Sequence, residues 1–312
     1  MTCAKRGSRR PGIYKRAAIA GLALLALACL PSTSPAQGGI ERFTRQFTIG
    51  GRLSGAILLV GWSKDAKDIQ KLLDLVIAKA NESFARLDWR NRTSEVAGLN
   101  ANAGKGAFRV SGDVLAAFQA AQKVSRLTGG AFDIAYSGSG SYRNIKIKSS
   151  TVELNKGGMR VSFDPIMEGF LADLILRYIY ASNMRNAIVK VGNVFRGMGQ
   201  DLRGPWKIQV RDNEGTYAHH ALNLTIGNTG VATISVGQFR SQPLIDPRSK
   251  KTISPSLRGA TIVMKEAALA QGMAHAVFVL GPDKGLALLK KSGQAKGLIV
   301  DNAGKFIRSP GF

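Results

Sequence analysis

Both cysteines of this 312-residue chain, Cys3 and Cys29, sit close to its start, inside a segment with its own pattern. "MTCAKRGSRRPGIYKR" supplies Lys5, Arg6, Arg9, Arg10, Lys15 and Arg16 without an acid. "AAIAGLALLALACL" follows as an apolar run short for a membrane span, and "PSTSPAQGG" ends on small residues at Ser34 and Ala36. That order of basic, apolar and small residues is the order of an export signal, so residues 1–36 are read as a signal peptide cleaved after Ala36. Residues 37–312 then hold no cysteine. Disulfides, thiolate catalysis and thiolate metal sites are excluded, and the fold must be held by apolar burial and hydrogen bonds.

The adjacent arginines after Ser8 in "SRRPGIYK" fit a twin-arginine signal, although Gly12 and Ile13 match the usual hydrophobic pair only in part; a general secretory signal is the other route. "LALAC" sets Cys29 behind small residues, as a lipoprotein site would, but Ala26 stands where Leu is usual, so lipidation ranks second. The expected location is periplasmic or otherwise exported, with membrane contact only through the leader or a lipid anchor. The formal charge is +24, and removing the leader's six cations leaves +18. The cations are spread out, as in "NIKIKSS", "LDWRNR" and "IDPRSKK", which reads as a solvated basic surface more than a dedicated anion-binding face. Nucleic acid is not expected as a partner.

Along residues 37–312 helical and strand patterns mix without a βαβ rhythm, and no boundary is visible, so a single α+β domain of mixed sheets covered by helices is expected. "RQFTIGGRLSGAILLVGW" alternates like a hairpin. "SKDAKDIQKLLDLVIAKANESFARLDW" has helical spacing, with Ser63 as N-cap and Ile69, Leu72, Leu73, Val76, Phe84 and Leu87 on the buried face. A polar loop is predicted over 90–106. A second helix follows from Ser111 to Gly129 or Gly130, and a third opens at Asp164 and Pro165, where proline's missing N–H costs nothing. Strands are predicted in "NIKIKSSTVELNKGGMRVSF", "NAIVKVG", "WKIQVRD", "HHALNLTIG" and "GVATISVG". "EAALAQGMAHAVFVLG" reads as a helix feeding a strand, before a short helix "DKGLALLKKSG" and a closing strand "AKGLIVDNAGKFI".

Chemistry-bearing residues are few. Only His219, His220 and His275 are available; the first two are adjacent and cannot serve one site from a strand. No HExxH, Cys/His cluster or GxSxG is present, so hydrolase triads and zinc sites have no support. "GKGAF" and "GNVFRGMG" lack the Gly-Lys-Ser/Thr ending of a phosphate loop and read as turns. "TGGAFDIA" ends a helix with two glycines and delivers an aromatic and a carboxylate. Either Phe132 meets a ring and Asp133 a polar ligand, or Phe132 is core and Asp133 caps the next loop; spacing leaves both open. Gln271 and His275, four apart on a helix, share a face.

The series of motifs resembles the ApbE family, the FAD:protein FMN transferases. "SEVAGLN" is similar to that family's S-E-L-x-x-L-N, "TGGAFDIA" to s-x-G-a-F-D-p-t, "MEGFLAD" to A-K-G-Y-A-V-D, and "VKVGNVFRGMG" to v-n-x-G-G-d-x-x-x-G. "GPWKIQVRD", "GVATISVGQF", "PLIDPRSK" and "AQGMAHAVFVLG" are similar to p-W-x-v-x-i, a-v-A-T-S-G-d-y, H-i-i-D-P-x-T-G and A-D-x-x-A-T-A-l-f-v-l-G. The series runs in order over nearly all of residues 37–312. The resemblance implies an exported α+β protein that uses FAD as donor and magnesium as cofactor. It implies transfer of FMN to a Ser or Thr hydroxyl of an acceptor flavoprotein. It places Ala131, Phe132 and Asp133 at the flavin nucleotide, Trp89 near a stacking aromatic one residue out of register, Gly169 and Asp173 in the helix motif, and Asp246 and Pro247 in an Asp-Pro turn. Glu168 falls where the family has a phosphate-facing lysine.

The departures fall on the chemistry. Ser162, Phe163, Asp164 and Pro165 replace Asp-x-Gly-Gly; Gly192-Asn193 replaces a Gly pair; Thr233-Ile234-Ser235 interrupts Thr-Ser-Gly; Pro243 replaces a histidine. Gln271 and His275 stand at the family's metal-binding Asp and Thr. Magnesium prefers hard carboxylate oxygens, which neither side chain offers. The expectation is therefore reduced or absent transferase activity. Three readings stay open: an active transferase with an altered site, a non-catalytic FAD binder or scaffold in flavoprotein maturation, and a structural protein without ligand. "RGAT" at 258–261 bears a faint likeness to a flavin acceptor sequence but lacks its upstream acid and hydroxyl, and is read as a strand entry.

Overall fold

The alternation that opens the folded chain forms strands β1 (Ile40–Ile49) and β2 (Leu53–Trp62), joined through Gly50 and Gly51 at φ 57° and 66°. Only glycine fits at Gly50: a Cβ there would lie 2.0 Å from Cε1 of Phe84 on helix α1 (Ala66–Leu87). The computed structural model describes residues 39–135, 138–210, 222–240 and 243–312. The leader, with its cysteines and cleavage site, and His219 and His220 lie outside the described residues.

Helix α1 buries Ile69, Leu73, Val76, Phe84 and Leu87 as its spacing predicts, while Leu72 is only partly buried. Ser63 does not cap it. It opens a 3-10 turn over Ser63–Asp65, and Asp65 occupies the N-cap position. The predicted polar loop contains helix α2 (Glu95–Ala101), whose N-cap Ser94 accepts a hydrogen bond from the Ala97 N–H at 3.0 Å. Seven residues are too few for periodicity to show, but the serine ahead of Glu95 is the signal that was there. Strand β3 (Ala107–Arg109), helix α3 (Gly112–Leu127) and strands β4 (Ile145–Ile147) and β5 (Thr151–Leu154) follow, with the small sheet ordered β3-β5-β4.

Helix α4 (Met167–Ala181) is entered through a 3-10 turn at Asp164–Ile166 that holds the proline. Strands β6 (Ala187–Val191), β7 (Val194–Met198), β8 (Trp206–Val210), β9 (Leu222–Ile226) and β10 (Gly230–Ser235) come next. The short pair β11 (Ile245–Asp246) and β12 (Lys251–Thr252) precedes β13 (Leu257–Met264), which takes up Arg258–Thr261 as read. Helix α5 (Ala267–Ser292) and the hairpin β14 (Lys296–Asp301) and β15 (Phe306–Arg308) close the chain. The main sheet is ordered β1-β2-β6-β7-β10-β13-β14-β15, with antiparallel pairing between neighbours. The fold is α+β.

"AVFVLG" is not the strand its β-branched and aromatic residues predict. The alanine-rich turn before it propagates the helix, which continues to Leu280 and breaks at Gly281 (φ 77°, ψ −178°). Pro282 then starts a second helical stretch, a position that needs no N–H. A continuous apolar run buried on all sides carries no periodicity to distinguish helix from strand.

Alternate residues of the main sheet face opposite ways. Ile57, Leu59, Val189, Val191, Ala232, Ile234, Ile262 and Ile299 belong to the large core shared with the helices. Val60, Ile188, Val231, Leu298 and Val300 face a smaller core closed by Trp206, Ile208, Val210 and Ile226 from the β8–β9 hairpin.

Candidate functional site

Distant parts of the chain converge on a cavity of about 320 Å³ on the helical side: the turn into β2, the loop after α3, the entry to α4, the segment before β11, and one face of α5. Among the lining residues are Ala131, Phe132, Asp133, Glu168, Gln271 and His275.

The loop after α3 is set by hydrogen bonds. Thr128 donates its hydroxyl to the Val124 carbonyl (2.9 Å) and accepts the Phe132 N–H (3.1 Å), so the chain turns directly off the helix end. Phe132 is buried, and each Asp133 oxygen accepts a backbone N–H, from Ala135 at 2.8 Å and Tyr142 at 2.7 Å. Burial pushes the Asp133 carboxyl above its ordinary range despite those two bonds. The carboxylate thus fixes the loop, while the loop itself forms cavity wall.

The entry to α4 is pinned from α2. Asn100 donates to the Val161 carbonyl (3.0 Å) and accepts the Val161 N–H (2.9 Å), which sets the chain just ahead of Asp164. Burial would raise the Asp164 carboxyl, but hydrogen bonds from Arg90 (2.9 Å) and the Trp89 indole (3.1 Å) outweigh it and hold the group below its ordinary range. Trp89 does not line the cavity. It stands at the rim with the Arg90 guanidinium 4.6 Å over its ring, one contact away from lining residue Asp164.

Two helices lock each other at the cavity floor. Gln271 Oε1, on α5, accepts the Gly169 N–H in the first turn of α4 at 2.8 Å. Asp173, on α4, accepts the Ala267 and Ala268 N–H groups at the start of α5 (3.0 and 2.9 Å) and the Arg196 guanidinium at 2.9 Å. Each helix satisfies orphan amides of the other, and a carboxylate favours a helix N-terminus. Gln271 Nε2 lies 3.4 Å from Glu168. Burial pushes Glu168 up to about 7, against the pull of the Asn193 N–H and the Lys190 charge. Burial likewise drives His275 down to about 4, so its imidazole is neutral at pH 7; its ring meets Phe239 edge-on at 6.1 Å. Asp246 lies between lining residues Ile245 and Pro247, but its carboxylate is forked onto Arg248 (2.9 and 2.7 Å), whose hydrogen bond depresses it.

The arrangement is a part-apolar chamber with an amide, a neutral imidazole and a carboxyl that titrates near pH 7 on its floor. The ApbE family model matches residues 58–139 and 137–299, which takes in every one of these walls except the turn into β2. The chain belongs to the ApbE family. A protein named FAD:protein FMN transferase from Haemophilus influenzae is 27% identical over 157 residues, covering 47% of this chain and 45% of that protein. One of the same name from Vibrio cholerae is 21% identical over 292 residues, covering 80% and 86%. Against the Haemophilus protein and its Treponema pallidum counterpart, the match spans a little under half of the relative's length. Pseudomonas stutzeri flavinyl transferase ApbE, in its apo form, superposes with a TM-score of 0.74 at 21% identity, covering 89% of this chain and 97% of that one. Flavin transferase ApbE from Vibrio cholerae gives 0.73 at 19%, covering 88% and 99%. These likenesses establish an ApbE fold.

The magnesium that ApbE resemblance implies does not fit the residues present here. The one hard oxygen of Gln271 is taken by an amide, both Asp133 oxygens are taken by amides, both Asp164 oxygens by Arg90 and Trp89, and His275 offers a soft nitrogen. That leaves Glu168 as a single carboxyl, itself bonded to the Gln271 and Asn193 N–H groups. Among the described residues no group of three or more His, Cys, Asp or Glu is placed to hold an ion. The ApbE motifs did not flag Arg52 or Phe84, which also line the cavity, whereas Phe239, another lining residue, closes the motif "GVATISVGQF". Arg52 follows Gly50-Gly51, lies 5.0 Å over the Phe84 ring and pairs with Asp88 at 3.0 Å. The double glycine was the only sequence signal that this turn is pressed against something.

Proposed function

We propose that the cavity takes a flavin nucleotide and that the chain is an exported FAD:protein FMN transferase of lowered turnover. The observation that carries this reading is the convergence of Ala131, Phe132 and Asp133 with Glu168, Gln271 and His275 on one chamber, in a chain of this family. In the reaction, an acceptor Ser or Thr oxygen attacks the FMN phosphorus of FAD, the bond to the AMP oxygen breaks, AMP leaves with the electron pair, and the hydroxyl proton passes to solvent. Lowered turnover follows from charge. A carboxyl at Glu168 stands where a phosphate would be served by a cation, and the committed Gln271 amide adds no compensation. The partner is an acceptor flavoprotein, and the basic, apolar and small-residue leader supports export to the periplasm. A second reading, a non-catalytic FAD binder, is favoured by the same commitment of Gln271.

The test is titration of the full chain with FAD, followed by incubation with an acceptor peptide bearing Ser or Thr, with magnesium or with a chelator. Expected are saturable flavin binding, slow AMP release with a flavinylated peptide, and no loss of either on chelation. Absence of flavin binding would overturn the proposal. Binding without AMP release leaves the second reading standing, and magnesium-dependent turnover matching the Vibrio protein overturns the lowered activity.

A further inference from the structure

A second hollow of about 330 Å³ adjoins the first and shares with it the walls Asp133 and Pro247. Its character is different. Arg143, Lys156, Arg248 and Lys250 all line it. Like charges gathered round one concavity repel each other. Such a gathering is stabilised when an anion enters.

The neighbouring carboxylates offset it only in part. Asp246 is forked onto Arg248, and Asp133, whose oxygens accept two backbone amides, is felt by both Lys250 and Arg143, so four cations meet two carboxylates. Among the described residues, Arg143, Lys156 and Lys250 are in no salt bridge. Lys250 spends one donor on the Ala135 carbonyl at 2.7 Å, which holds its ammonium in place and leaves other protons free. The Arg143 guanidinium is held 5.0 Å over the Tyr142 ring.

The loop that carries Arg143 is also stiff before any ligand arrives. The Ser141 N–H donates to the Asn144 side chain (3.1 Å), the Arg143 N–H reaches the Ser141 hydroxyl (3.4 Å), and the Asn144 carbonyl accepts from Asn155 (2.9 Å). Guanidinium and ammonium donors on several sides of a small polar hollow, those of Arg143, Arg248 and Lys250 held by contacts of their own, suit a tetrahedral oxyanion with its several acceptor oxygens.

We propose that this second hollow is a phosphate-binding site, formed by Arg143, Lys156, Arg248 and Lys250, separate from the chamber that holds Gln271 and His275. The ligand chemistry is a phosphate group, free or carried by a nucleoside monophosphate. Nothing in it requires the flavin reading of the neighbouring chamber.

The test is calorimetric titration of the full chain with inorganic phosphate and with AMP at low salt, repeated on an Arg143→Gln/Lys156→Gln double variant. Both side chains are exposed, so the fold should survive, and matched thermal unfolding verifies it. Saturable binding to the wild type, weakened about tenfold or more in the variant, is expected. Tighter binding of AMP than of inorganic phosphate assigns a nucleotide as the source, and the reverse assigns the free anion. Equal affinities for wild type and variant, or no saturable binding to the wild type, would overturn the site. Riboflavin, which carries no phosphate, separates the two hypotheses. Its failure to bind bears on the neighbouring chamber alone, and it should bind wild type and variant alike.

Discussion

The carboxyl of Glu168 lies 3.4 Å from the Gln271 amide, and burial holds its proton up to about pH 7. Its folded pKa is raised above the unfolded value of 4.5, so the folded chain binds this proton more tightly between those two values. The associated stability is present in full below pH 4.5 and is lost as pH rises through about 7. Glu168→Gln removes that dependence. Denaturant midpoints of variant and wild type should agree near pH 5, and the variant should be more stable at pH 8 by about 2 kcal/mol. A difference that is the same at both pH values would refute the assignment. Asp133 shows how far single residues were legible. Its position in "AFDIA" marked it as either ligand-facing or loop-capping, and only the distances to two amides show that its oxygens are used by the loop. Glu168 and Gln271 were legible as departures from a family pattern, but their contact, 103 residues apart in sequence, was not.

Helices α4 and α5 hold each other by exchanged caps, Gln271 on Gly169 and Asp173 on Ala267 and Ala268. Asp173→Ala leaves two helix-start amides and the mostly buried Arg196 without their acceptor, and should cost about 3 kcal/mol. Hydrogen exchange at Ala267 and Ala268 should quicken along with the loss in unfolding free energy. Unchanged protection there would show that α5 is held by packing alone. Elements with strong periodicity were legible: the β1–β2 hairpin, α1, α3 and α4 lie where the spacing puts them. Two were not. Helix α2 is too short to show a period, and the stretch of α5 just before its break at Gly281 carries Val277, Phe278 and Val279, residues that favour strands until burial in the core makes helix the better solution.

At the scale of the whole molecule, the main sheet separates two cores, one shared with the helices and the candidate site, the other closed by the β8–β9 hairpin. Trp206 fills the second core and donates its indole N–H to the Met198 carbonyl at 3.0 Å. Trp206→Ala should lower stability by about 3 kcal/mol and leave flavin affinity unchanged; a matching fall in affinity would show that the two faces are coupled through the sheet. The division has a bearing on descent. A substitution that weakens packing around the chamber can be offset in stability by a better fit under the hairpin, on the other face of the sheet. A lineage built this way can drift in the residues that face the chamber, Glu168 and Gln271 among them, while the frame that presents them persists.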